Sequence, residues 1–318
     1  MKKLKKIIVV FLLVFLLTGC TKQLVVEKTN ENGKNTKVAV KYEKGKNATG
    51  QTLTKNIICK PENKELQKLY KENGVKIDKL ENCKDFSLSI KANEGLWDNL
   101  FIKPLSWLII KIGYLVKNFG LSVILVGILI RLVLFPVTKK SAMQSENLKK
   151  AQPELQKLEK KYANKTTTED QQKKAQEMLL IYQKYQINPM SGCLLAFLQL
   201  PLLLAFYEAI NRTPAIFEDT FLTLKLGMTP STAIAQGQYQ YIILIVLILA
   251  TTYLSFNKTM KDQSTAGAGA PNMKFTLYFM LFFIGIASFS LASALGVYWI
   301  VSSLFTIAQN IYVERKKK

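Results

Sequence analysis

The chain has 318 residues, 49% of them hydrophobic, and a formal net charge of +22. Its apolar residues are clumped into long runs, which points to a membrane protein and away from a soluble globule. Membrane topology explains much of the basic excess more simply than nucleic acid does, so no DNA partner is expected. There is no histidine, which excludes His-based zinc sites and Ser-His or Cys-His catalysis. No GxxxxGK[ST] phosphate loop is present either. An enzyme with a metal or a cofactor is therefore not expected.

Residues 1–19 read as a signal peptide. Met1-Lys-Lys-Leu-Lys-Lys6 is its charged part, and Ile7 to Leu17 is an apolar part too short for a usual span. Leu17-Thr-Gly-Cys20 resembles a bacterial lipobox, which implies cleavage before Cys20 and lipidation of its sulfur. Residues 20–92 then form a lipid-anchored exported domain. Val25 and its neighbours on one side and Thr36 to Tyr42 on the other flank Asn32-Gly33, a hairpin signal. Pro61 to Asn73 reads as a helix with Pro61 in its first turn, Leu66, Leu69 and Tyr70 on one face, and Asn73-Gly74 as its stop. Asp85 to Lys91 alternates like a strand. The result is a small α+β domain with a thin core. Cys59 and Cys83 are either a disulfide, adding about 2–4 kcal/mol, or two free thiols. Cys193 reads as a small buried hydrophobe.

Residues 93–118 mix Trp97, Leu105, Ile109 and Ile112 with Asp98, Asn99, Lys103, Lys111 and Lys117. That pattern fits an amphipathic helix at the outer interface better than a span. Spanning runs follow at about 119–138, 190–210, 238–257, 275–291 and 293–313, the last two joined by a tight turn at Ser290 to Ala294. Eleven lysines in 139–188, Lys258, Lys261 and Lys274 in the 258–274 loop and the basic tail 314–318 outweigh Arg212 and Lys225 in 211–237. The positive-inside rule then places the C-terminus in the cytoplasm and the N-terminus outside, where a lipobox needs it. Within 139–188, Leu148, Ala151, Leu155, Leu158 and Tyr162 set one helical seam. Ala175, Met178, Leu179 and Tyr182 set a second one, with Thr168-Glu-Asp-Gln171 as its capping box. This cytoplasmic helical hairpin is either a mobile arm or a structural cap. The fold class is thus an all-α polytopic membrane protein: a core at 119–313 with five transmembrane helices and hairpin 139–188, an outer interfacial helix and the exported α+β domain.

Arg131 lies inside the apolar run Leu121 to Val137. A guanidinium in lipid costs roughly 2.5–3.5 kcal/mol on insertion scales, and the later runs contain almost no acid apart from Glu208. Arg131 is therefore expected to face water inside the membrane. The plainer reading is snorkelling past Lys139, about 12 Å further along a helix.

Ile130-Arg-Leu-Val-Leu-Phe-Pro-Val-Thr-Lys139, Gln152-Pro-Glu-Leu-Gln156, Tyr185 to Pro201 and Leu295-Gly-Val-Tyr-Trp-Ile-Val-Ser-Ser303 together resemble the YidC/Oxa/Albino family of membrane protein insertases. The likeness covers about 97–313, and the lipobox matches the lipoprotein type of single-membrane bacteria. It implies a hydrophilic groove open to cytoplasm and lipid and closed on the outside. Arg131 matches the groove arginine, Gln199 a polar position on the second span, and Tyr298 and Trp299 an aromatic pair along which a substrate helix slides. Gln199 and Trp299 also have plainer readings as helix-packing contacts. Where the family often has a glutamine near the cytoplasmic end of the third span, this chain has Thr251 to Asn257. Polarity there would rest on Thr252, Ser255 or Asn257. The implied partners are nascent membrane proteins and the bilayer, with the ribosome and the Sec translocon as further candidates.

Three functions compete: an insertase, a small-anion transporter using Arg131, and a lipoprotein sensor. The absence of an internal repeat counts against the transporter. Deleting 21–91 is expected to abolish a sensor and spare an insertase.

Overall fold

The structure is a computed structural model describing residues 22–29, 35–43, 49–89, 95–188, 191–261 and 273–317. The signal peptide, Cys20, the Asn32-Gly33 turn and most of the 258–274 loop lie outside the described residues, as do the side chains of Cys193 and Asn257. In chain order the elements are β1 (Val25–Thr29), β2 (Asn35–Ala39), α1 (Lys64–Glu72), α2 (Lys103–Val116), α3 (Phe119–Tyr162), α4 (Thr168–Lys184), α5 (Ser191–Arg212), α6 (Pro214–Phe217), β3 (Thr220–Phe221), β4 (Leu224–Lys225), α7 (Pro230–Ala235), α8 (Gln240–Lys261), α9 (Met273–Ser290) and α10 (Ser293–Lys317). They divide into two compact units. The first holds residues 1–126, 202–244 and 290–298; the second holds 127–201, 245–289 and 299–318.

In the first unit β1 and β2 pair antiparallel, Val25 opposite Ala39 and Thr29 opposite Asn35. Leu53 joins them through its backbone, donating to Val40 O at 2.8 Å and accepting from Leu24 N at 2.8 Å. Helix α1 starts later than the proline signal suggests. Asn63, not Pro61, sets the start, because its Oδ1 accepts from the N–H groups of Glu65 and Leu66 and satisfies donors the helix leaves open. The stop is where Gly74 turns the chain at φ +75°. Leu66, Tyr70 and Ile77 then pack on Leu24, Tyr42, Leu53 and Ile57.

One expectation fails here. Residues 85–91 form no strand within the described part: Cys83–Asp85 is a single 3-10 turn and 86–89 are irregular. Alternation alone does not make a strand without an edge to pair with, and Phe86 turns instead into a cluster with Cys59, Cys83, Ile110 and Ala215. The segment 22–89 is completed by a side chain from further along the chain. Phe217 of α6 sits fully buried inside its core, a burial worth roughly 1.5–3 kcal/mol. Gly227 passes so close that a Cβ there would meet Phe217 O at 2.6 Å and Gln51 Oε1 at 2.3 Å. Cys59 and Cys83 form a disulfide with an S–S distance of 2.06 Å.

Asp98–Val116 is one helical stretch, its first turn a π-helix over Asp98–Ile102. By length and apolarity it could cross a membrane, as could Phe119–Tyr162 and Ser293–Arg315 among the described residues; Gln240–Phe256 and Leu277–Ser290 are shorter apolar helices. Polar contacts run along α2, however. Lys103 donates to Ser89 O at 2.8 Å, Lys111 to Lys84 O at 3.1 Å and Tyr114 to Glu62 at 2.7 Å. Those contacts spread over about 16 Å of helix, so α2 lies against the polar segment 62–89 for most of its length.

Glu218 follows α6 in the same packing. The backbone N–H groups of Glu62 and Asn63 donate to its carboxyl, yet burial pushes it up to about 7 from 4.5. A carboxyl whose folded value is raised opposes folding when ionised. The first unit should therefore gain stability, by up to about 3 kcal/mol, as pH falls from above 7 to 4.5. Glu218→Gln should remove that slope and be the more stable form at pH 8. Unfolding curves between pH 4.5 and 8 measure it, and parallel slopes for the two proteins would refute the assignment.

In the second unit α3 does not stop at the expected boundary near 139. It runs on through Pro136 and Pro153 to Tyr162 and pairs with α4. Thr167, one residue earlier than expected, caps α4 by accepting from Asp170 N. Ala151, Leu155, Leu158 and Tyr162 are buried as their spacing predicts, but α4 presents a different face. Lys174 is buried, Met178 and Tyr182 are half-buried, and Ala175 and Leu179 are exposed. The cause is polar. Glu177 takes Lys161 at 2.6 Å and the Tyr162 hydroxyl at 2.9 Å, and Glu154 takes Lys184 at 2.5 Å and the Tyr185 hydroxyl at 2.9 Å. Lys161 and Lys184 hold the Glu177 and Glu154 carboxyls below the usual range.

Candidate functional site

The second unit brings polar side chains from four apolar helices together. Arg131 stands in the middle of the apolar part of α3 and is only 6% exposed. Its Nη2 donates to Gln199 Oε1 of α5 at 2.5 Å and to the Ser302 hydroxyl of α10. The expectation of a guanidinium facing water needs correcting: in the structure it is buried, with neutral oxygens beside it. A side-chain amide and a hydroxyl can meet guanidinium N–H groups without an ion pair.

Trp299 lies three residues before Ser302, hence on the same face of α10. Its Nε1 donates to Thr252 Oγ1 of α8 at 3.0 Å. The Thr252 hydroxyl spends its own proton on Ile248 O at 2.6 Å, which leaves an oxygen lone pair for the indole. Ser255, three residues further along α8, is buried as well. A second polar contact joins α3 to α10, where the buried Thr138 hydroxyl donates to the buried Gln309 Oε1 at 2.8 Å.

Of the residues singled out from sequence, Arg131, Gln199, Thr252, Ser255 and Trp299 all fall in this unit. Tyr298 does not. It belongs to the first unit, is fully buried, and its ring stacks on Phe206 with centroids 3.8 Å apart. Neighbours on a helix point about 100° apart, so Tyr298 meets Phe206 while Trp299 meets Thr252. Sequence reasoning missed Ser302, Thr138 and Gln309. Serine, threonine and glutamine in apolar runs are ordinary helix-packing residues, and only the contact with Arg131 or with one another sets these three apart.

The sequence model of the family described as 60Kd inner membrane protein matches residues 111–318. The chain belongs to this family, that of the YidC insertases. Among its relatives, the membrane protein insertase YidC of Oceanobacillus iheyensis is 32% identical over 239 residues, which cover 74% of this chain and 91% of the relative. The insertase YidC of Alkalihalophilus pseudofirmus is 38% identical over 225 residues, 69% of this chain and 82% of the relative. A crystal structure of an active YidC insertase with its first transmembrane domain resolved aligns at a TM-score of 0.47 and 21% identity, covering 67% of this chain and 46% of that one. The family match begins inside α2, so the disulfide-bonded segment lies outside it. A YidC-family chain with these apolar helices is a protein of the cell membrane.

Proposed function

We propose that this protein is a membrane protein insertase that receives polar substrate segments at the Arg131 cluster and releases their apolar helices into the bilayer. The observation that carries the reading is the buried guanidinium between Gln199 and Ser302, with the Thr252–Trp299 hydrogen bond on the same face of α10. A charged side chain at the centre of a bilayer costs several kcal/mol. A polar lining offers it replacement partners for part of the path, and a fixed positive charge attracts acidic stretches more strongly where the dielectric is low. The substrate's apolar helix then partitions into lipid by its own hydrophobicity. No covalent step is involved.

In this reading five helices span the membrane, α2 lies at the outer interface, and Cys20 carries the lipid anchor outside. The contacts of Lys103, Lys111 and Tyr114 with residues 62–89 support the interfacial place of α2, since they set polar groups along one side of the helix. The α3–α4 hairpin, with eleven lysines in 139–188, lies in the cytoplasm, where it would meet nascent chains, the ribosome or the Sec translocon.

Purified protein in lipid vesicles tests the function. Vesicles containing it should insert an added single-span membrane protein to a protease-protected state, and empty vesicles should not. Equal protection in both would end the insertase reading and leave the anion transporter to be tried by anion flux.

A further inference from the structure

Arg131 meets Ser302, and Thr138 meets Gln309. Both steps along the chain are seven residues, from 131 to 138 on α3 and from 302 to 309 on α10. Two helices whose contacts advance together run parallel, and a seven-residue step returns to the same face after two turns, about 10 Å further along. The Thr138–Gln309 contact is therefore a second polar layer in the seam that holds Arg131, displaced toward the end where Lys139 lies 5.8 Å from the Tyr312 ring. A lysine over a tyrosine is how helices commonly end at a membrane interface. So the second layer stands between the guanidinium and that interface.

The chemistry of the two layers differs. The first is cationic. The second is neutral and offers a carboxamide, with two N–H donors and an oxygen that accepts twice, beside a hydroxyl. Thr138 occupies one acceptor position of Gln309, and the Gln309 amide nitrogen has no hydrogen-bond partner among the described residues. That nitrogen is not among the fully enclosed unpaired polar atoms, so it can be reached from outside the seam. Ser141, three residues beyond Thr138 and on the same side of α3, is buried too and continues the polar line.

We propose that Thr138 and Gln309 form an entry station for substrate, taking the peptide groups and neutral or acidic side chains of a polar segment before it reaches Arg131. This rests on the reading of the Arg131 cluster as the substrate site. The station is neutral, so it admits segments of either sign, and discrimination by charge falls to Arg131 behind it. A charge placed at position 309 would move that discrimination forward.

The test uses the full chain in vesicles of phosphatidylcholine and phosphatidylglycerol. Two single-span substrates are compared, identical except for a translocated tail rich in aspartate or in lysine. Gln309→Lys should raise the ratio of acidic to basic insertion, and Gln309→Glu should lower it, each by at least about fivefold, as expected for charges meeting at low dielectric. A mere packing contact between α3 and α10 would alter both substrates alike, and an unchanged ratio in both variants overturns the proposal. Arg131→Ala is run beside them. If it inserts both tails as the parent does, the substrate-site reading itself has failed; if it loses insertion while the 309 variants leave the ratio alone, only the entry station has failed. Photo-crosslinking from position 309 serves should either charged variant not fold. It should capture the polar tail of an arrested substrate, and capture of the apolar helix alone counts against the station.

Discussion

Arg212→Ala is expected to destabilise the first unit by about 3–5 kcal/mol, the cost of breaking a buried charge pair by removing one partner. Arg212 ends α5 and is a hub. Its Nη1 donates to Asp98 and, at 3.2 Å, to Glu208; its Nε donates to Asn56 O at 2.8 Å; its own carbonyl accepts from Ile58 N at 2.8 Å. Those partners come from the segment around Asn56 and Ile58, the turn before α2, and α5 itself. Without the guanidinium the buried Glu208 carboxylate loses its cation and keeps the neutral Trp97 side chain as a donor. Thermal unfolding should show the loss, and hydrogen exchange should rise first at 56–58 and 98–102. Arg212→Met, which keeps the apolar stem, should lose nearly as much; a melt unchanged by either variant would show that the hub holds nothing.

This alters what a deletion of 21–91 can reveal. The deletion strips the cover from Phe217, Ala215 and Ile110 and takes away the acceptor at Asn56. Lost insertion after such a deletion would report damage to the core of the first unit as readily as loss of a sensor. Replacing Cys59 and Cys83 is gentler, since it removes about 2–4 kcal/mol and leaves the Phe217 packing and the Asn56 acceptor in place.

Arg131→Ala is expected to lower insertion by at least about tenfold, while Arg131→Lys retains most of it. Lysine keeps the positive charge and can still donate to the Gln199 and Ser302 oxygens, though it lacks the planar fork. Alanine removes the charge and leaves both partners without their donor. Complementation of an insertase-depleted strain, with protein levels measured alongside, gives the readout. Full rescue by Arg131→Ala at normal levels would mean that the charge is not used for insertion.

Local features were legible in the sequence because their causes are local. Gly74 ends α1 through a conformation that glycine adopts easily, and the 3–4 spacing of Ala151, Leu155, Leu158 and Tyr162 buries one face of α3 as read. The apolar runs, the basic segments and the words of the family sequence likewise need no partner to be recognised. The failures were relational. The 85–91 strand had an alternating pattern but no edge to pair with. The face of α4 was turned by Glu177 and Lys184 meeting Lys161 and Glu154 across the hairpin.

By itself, then, the sequence determined that the chain carries long apolar runs, where α1 stops, and that an arginine stands inside one of those runs. Only the tertiary structure decided what that arginine touches. Gln199 is 68 residues away and Ser302 is 171, and the period of a helix states which of its own faces a residue shares but not the register in which a second helix lies beside it. The same holds for Phe217, whose place in the core formed by Leu24, Tyr42, Leu53 and Tyr70 depends on packing between stretches that no periodicity connects.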